Sequence, residues 1–101
     1  MVAGVSYRLR VINISANDAH TITLKGSKGL VLLRPRARDG RDLPVDQTTM
    51  EPAQFNTSAG VTLDFEFTPP SAGVYSLAAT AIVGGRRTDR VTTVPIRVKS
   101  P

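Results

Sequence analysis

"VTLDFEF", residues 61–67, alternates apolar Val61, Leu63, Phe65 and Phe67 with polar Thr62, Asp64 and Glu66. Successive side chains of an extended strand leave opposite faces, so this stretch predicts a strand with one apolar and one wet face. The same alternation runs outward from it. "VSYRLRV", residues 5–11, sets Val5, Tyr7, Leu9 and Val11 against Ser6, Arg8 and Arg10. "HTITL", residues 20–24, sets Ile22 and Leu24 against Thr21 and Thr23. "LVLL", residues 30–33, is a short apolar run that predicts a strand covered on both faces. In "QTTMEPAQF", residues 47–55, Pro52 predicts an edge or a bulge. "YSLAATAIV" supplies a further strand over 75–83. The last, "VTTVPIRV", residues 91–98, puts Thr92, Val94, Ile96 and Val98 on one face and Pro95 on the other. Proline cannot donate to a ladder, so this strand is expected at a sheet edge.

Turn chemistry separates these segments: "SAND", "KGSKG", "RDGRDLP", "TSAG", "TPPSAG" and "GGRRTD". Gly84-Gly85 can adopt the positive φ of a hairpin turn, so the last two strands are expected to pair. No window of eleven residues carries a helical stripe. Short strands at this spacing predict an all-β chain, a Greek-key β-sandwich of about seven or eight strands. The length of 101 residues suits a single domain, 1–101, with one core.

Composition narrows the chemistry. There is no cysteine, so disulfides, thiolate metal sites and cysteine nucleophiles are excluded. His20 is the single histidine, so any imidazole chemistry rests on one residue. The longest apolar run is too short to cross a bilayer, and Met1–Gly4 shows no signal-peptide pattern. The net charge of +5 comes mainly from arginines clustered at 34, 36, 38 and 41 and at 86, 87 and 90. These clusters are expected to form a solvated face and hairpin ends, with phosphate or acidic partners as the other reading. Single-strand nucleic-acid binders add stacking aromatics to a basic groove. Here Phe65, Phe67 and Tyr75, three of only five aromatics, fall on inward positions, which weighs against nucleic acid.

The remaining polar residues read as structure. Asp39 and Asp42, beside Gly40 and Pro44, are expected to form turns by bonding their own backbone rather than to act as a carboxylate pair. Asp64 and Glu66 belong to a wet strand face, where exposed pairs with arginines contribute little. No Gly-x-Ser-x-Gly elbow or glycine-rich phosphate loop with lysine occurs. "NIS" (13–15) and "NTS" (56–58) match the glycosylation pattern, a match common by chance.

"SAGVYSL" carries a Gly-x-Tyr corner, which resembles both immunoglobulin-like modules and cupredoxins. Other stretches favour the second. "RVINISANDAHTITL" is similar to the cupredoxin segment in which an asparagine ends a strand and a histidine, here His20, opens the next. The loop Ala37, Asp39, Gly40, Asp42, Leu43, Pro44 resembles a loop of bacterial multicopper oxidase domains. So does the run Gly60, Thr62, Asp64 to Phe67, Pro69, Pro70, Gly73, Tyr75 and Leu77, and so does the opening "YRLRVINIS".

The resemblance implies a cupredoxin-like domain, in a periplasmic or extracellular protein. In copper-binding members His20 would be a ligand, followed by a cysteine and a second histidine. Those two positions fall on Ala79 and Ile82, which donate nothing. A blue copper site needs a thiolate and two imidazoles. The expectation is therefore a metal-free domain with no catalytic, cofactor-binding or metal-ligating residue and no cofactor. Its role would be structural or interdomain, within a parent that is a copper-dependent oxidoreductase. Its partners would be neighbouring cupredoxin domains or copies of itself, with no membrane contact. A stand-alone immunoglobulin-like adhesion or surface-binding module is the alternative, and a small basic binder of polyanions the third.

Overall fold

A computed structural model describes residues 1–14, 19–83 and 86–101, with Arg87 and Asp89 described in their backbone alone. The "SAND" turn, the Gly84-Gly85 turn and the end of the first glycosylation pattern lie outside the described residues. The described residues form ten strands: β1 Tyr7–Ile12, β2 Ala19–Gly26, β3 Gly29–Leu30, β4 Leu32–Arg38, β5 Arg41–Asp42, β6 Glu51–Pro52, β7 Gln54–Thr57, β8 Thr62–Phe67, β9 Gly73–Val83 and β10 Arg86–Val98. Three of these hold two residues each, which leaves seven longer strands against the seven or eight expected from the turn spacing. Among the described residues the only helical element is one 3-10 turn, Val45–Gln47.

Two antiparallel sheets pack face to face as a β-sandwich. The first has the order β1-β8-β4-β5, with β6 also on β4; the second has the order β10-β9-β2-β3, with β7 also on β2. Leu33, Phe65 and Phe67 from the first sheet meet Leu24, Tyr75 and Val98 from the second in one core. The Phe67 and Tyr75 rings meet edge to face at 5.6 Å. Tyr75 turns the corner into β9, its hydroxyl donating to the Ser71 carbonyl at 2.7 Å. That buries the ring while satisfying its polar end.

"LVLL" does not form one strand buried on both faces. Leu33 is buried, but Leu30 and Leu32 are exposed, because the chain changes sheets at Val31. It returns at Ala53, between β6 and β7. The two crossings are joined through β2: Val31 N–H donates to the Leu24 carbonyl (3.1 Å), Ala53 N–H to Val31 (2.8 Å), and Leu24 N–H to Ala53 (3.0 Å). One side of the sandwich is thus stitched by backbone. Pro52 sits at the end of β6 on the rim of this seam, as an edge residue should.

The opposite side is bounded by β1 and β10, each paired with one neighbour only among the described strands. Pro95 does lie on this edge strand, opposite Ser76 of β9. Residues Met1–Ala3 run beside the end of β10, where Ala3 N–H donates to the Lys99 carbonyl and Lys99 N–H to Met1. Their bridge, Val2 to Lys99, is parallel.

Candidate functional site

Two places gather the residues singled out by the sequence. The first surrounds His20. It stands on β2, half-buried, opposite Ala81 of β9 on one side and Thr57 of β7 on the other. Ala79 lies opposite Ile22, and Ile82 opposite Ala19. A cavity of about 180 Å³ opens here, with Val11, Asn13, His20, Ile22, Thr57 and Ala79 in its walls. The buried Asn13 amide donates to the Thr57 carbonyl at 3.1 Å, tying the end of β1 in one sheet to the end of β7 in the other. His20 and Ala79 therefore share one cavity, with the Ala79 methyl group in its wall. Among the described residues no three His, Cys, Asp or Glu side chains come together to hold an ion.

The second place is the outer face of the first sheet. β1 and β8 pair in a register that sets Arg8 opposite Glu66 and Arg10 opposite Asp64. Opposite charges on directly facing residues attract. Asp64 is only 3% exposed, because the two arginines lie over it. Arg8 Nε donates to its Oδ2 at 2.9 Å, Arg10 Nε to Oδ1 at 3.0 Å, and Arg10 Nη2 to Oδ2 at 3.2 Å. The Arg10 hydrogen bonds, with help from Arg8, hold the Asp64 carboxyl below its usual value despite the opposing effect of burial. In return, the Asp64 carboxylate raises the Arg10 pKa.

On the other side of β8, a register shift in β4 between Pro35 and Ala37 breaks the strict alternation. Arg36 Nε donates to Glu66 Oε2 at 2.9 Å, and Arg34 Nη1 to the Thr48 carbonyl at 2.8 Å. A second cavity, of about 380 Å³, lies between this ladder and the overhanging chain of Asp42, Leu43, Val45 and Thr48. General-acid chemistry asks for a raised carboxyl pKa, and Asp64 is driven the other way. The face is a place for charge and hydrogen bonding.

Several expectations change in this light. Asp64 is not an exposed strand residue but a covered carboxylate serving two guanidinium groups. Of the first arginine cluster, Arg34 and Arg36 are half-buried and engaged, not simply solvated. Asp39 does form a turn, with φ of 50° beside Gly40 at 79°. Its side chain, however, accepts from Thr62 N–H on β8 at 2.9 Å, not from its own turn. The signal for the ladder was present as Arg-x-Arg at 8 and 10 and Asp-x-Glu at 64 and 66. Sequence reasoning expected exposed pairs with arginines; what it missed was that Arg8 and Arg10 would lie over Asp64 and leave it almost fully buried.

No family model matches the chain, and neither the curated proteins nor the solved structures give a significant match. The site therefore has to be read on its own chemistry.

Proposed function

We propose that the chain is a metal-free cupredoxin-like domain of a multicopper oxidase, structural or interdomain in role. It would dock neighbouring copper-bearing domains or copies of itself, outside the cytoplasm, and carry no catalytic step. The parent would pass electrons from a reduced substrate through copper to dioxygen, using residues absent from this chain. The observation that carries this reading is that His20 and Ala79 line one cavity, while Ile82, opposite Ala19, falls on the other face of β9. A lone imidazole beside the Ala79 methyl group offers one donor where a type 1 copper asks for three. The ordered sequence motifs from "YRLRVINIS" to "GVYSL" supply the rest of the support.

Copper binding tests it directly. Titration of the purified chain with Cu(II) is expected to give no intense blue thiolate band and no stoichiometric copper after desalting. One tightly held copper per chain with such a band would end the proposal.

A second reading, a stand-alone immunoglobulin-like adhesion module, is favoured by one observation. The Tyr75 hydroxyl bonds back to Ser71, four residues upstream, in the corner that immunoglobulin-like domains also use. Sequencing the flanks of the natural product separates the two. Histidine-rich copper motifs on either side support the oxidase fragment, and tandem sandwich repeats the adhesion module.

A further inference from the structure

The free edge of β1 differs from that of β10, the other strand on the open side of the sandwich. Asn13 N–H donates to the Val61 carbonyl on the β8 side, and Thr62, opposite Ile12, gives its carbonyl to Asp39 on the far side of β8. Backbone groups alternate in direction along an antiparallel strand. The N–H and C=O groups of Arg8, Arg10 and Ile12 therefore point away from β8, into a margin where no described strand pairs with β1.

Sheet proteins normally block such an edge with charge, proline or a covering segment. β10 shows two of these devices, Pro95 and the Met1–Ala3 segment. β1 has no proline and no bulge in its pairing with β8. Its two arginines do not cover the edge either, because both turn back toward β8 and bond Asp64 there. Beside this margin the inner face of the sandwich is incompletely closed. Val94 shares a face of β10 with the buried Val98, yet it is 50% exposed.

We propose that β1 accepts an added strand from a partner chain, an extended segment that alternates acidic and apolar residues. The backbone of the added strand would take the six free groups of Arg8, Arg10 and Ile12. Its acidic side chains would lie on the outer face beside Arg8 and Arg10, whose side chains are 54% and 61% exposed and share the Asp64 carboxylate, with the exposed Asp42 4.0 Å from Arg8. Its apolar side chains would cover the inner face beside Leu9 and Val11. Charge selects the partner over a second copy: pairing β1 with β1 would set Arg8 and Arg10 against arginines, and like charges directly opposite are destabilising. The chain already shows the fitting pattern, since β8 itself presents Asp64 and Glu66 to the same arginines. The proposal rests on the edge and not on the oxidase reading, so either can fail alone.

Backbone amide exchange on the whole chain tests it. The probe is a capped peptide of sequence VTLDFEFT, and the control is the same peptide with lysine in place of its two acidic residues. With the acidic peptide, exchange at Arg8, Arg10 and Ile12 is expected to slow by about tenfold or more, and the control is expected to do nothing. Exchange of the peptide for β8 itself would leave those three amides unprotected and so overturns the proposal. Equal protection by both peptides overturns the charge selection. Protection that rises with protein concentration alone assigns the edge to a second copy and overturns the partner. The variant Ile12→Pro removes one outward N–H without touching a β8 bond. It is expected to weaken peptide binding by about tenfold, and unchanged binding would count against strand addition.

Discussion

Asp64 shows how a single side chain can change meaning between chain and fold. By alternation it belongs to the wet face of its strand, and it does point away from the core. Yet Arg8 and Arg10 cover it, and their hydrogen bonds keep it ionised. Because its pKa is lower in the folded than in the unfolded state, it adds stability that is complete above the unfolded value of about 3.9. That contribution fades as pH falls through the depressed folded value. Asp64→Asn is expected to lose about 1–2 kcal/mol at pH 7, held below the cost of a fully buried pair because both guanidinium groups reach solvent. Urea unfolding of the two proteins across pH should show a constant gap above about pH 5 that narrows below about pH 4. A gap that widened on acidification would contradict the assigned ion pair.

At the scale of elements, β2 and its turn into β3 show where sequence punctuation carries packing information. "KGSKG" announces a turn, and the β2–β3 hairpin closes there, with Gly26 opposite Gly29. Gly29 needs its freedom for the backbone, with φ of 103°, whereas Gly26 is needed for space. A methyl group on Gly26 would stand 3.0 Å from Tyr75 Cε2 and 3.2 Å from Cδ2 of that buried ring. The ring is fixed at its far end by the bond to Ser71, so it has little room to yield. Gly26→Ala is expected to destabilise the fold by about 1–3 kcal/mol through overpacking, despite the usual entropic gain from replacing glycine. Thermal unfolding measures this, and a variant as stable as the parent would show that the ring can move. The run "LVLL" teaches the converse. Four apolar residues in a row say nothing about a change of sheet in their midst, and Val31 is where that happens.

For the whole molecule, the sandwich has one stitched side and one open side. The Leu24, Val31 and Ala53 backbone bonds link both sheets next to the core, where Leu24 is 1% and Ala53 0% exposed. Opening them requires separating the sheets, so the Leu24 and Ala53 amides are expected to exchange only through global unfolding. Native-state exchange should give them the full unfolding free energy, while Arg8, Arg10 and Ile12 exchange orders of magnitude faster. Slow amides on β1's outward side and fast ones at Leu24 would invert this picture.

The all-β class, the inward set of Phe65, Phe67 and Tyr75, the edge positions of Pro52 and Pro95 and the pairing of the last two strands were legible in the chain. So was the want of any thiolate or second imidazole. These depend on local rules: the two-residue period of a strand, the missing N–H of proline, the positive φ allowed to glycine, and residue identity itself. Which wet faces adjoin, which edge stays free and where the chain changes sheets were decided only by tertiary structure. Arg10 and Asp64 are 54 residues apart, and no period in either segment encodes their meeting. It follows from how the apolar faces of all the strands close over one shared core.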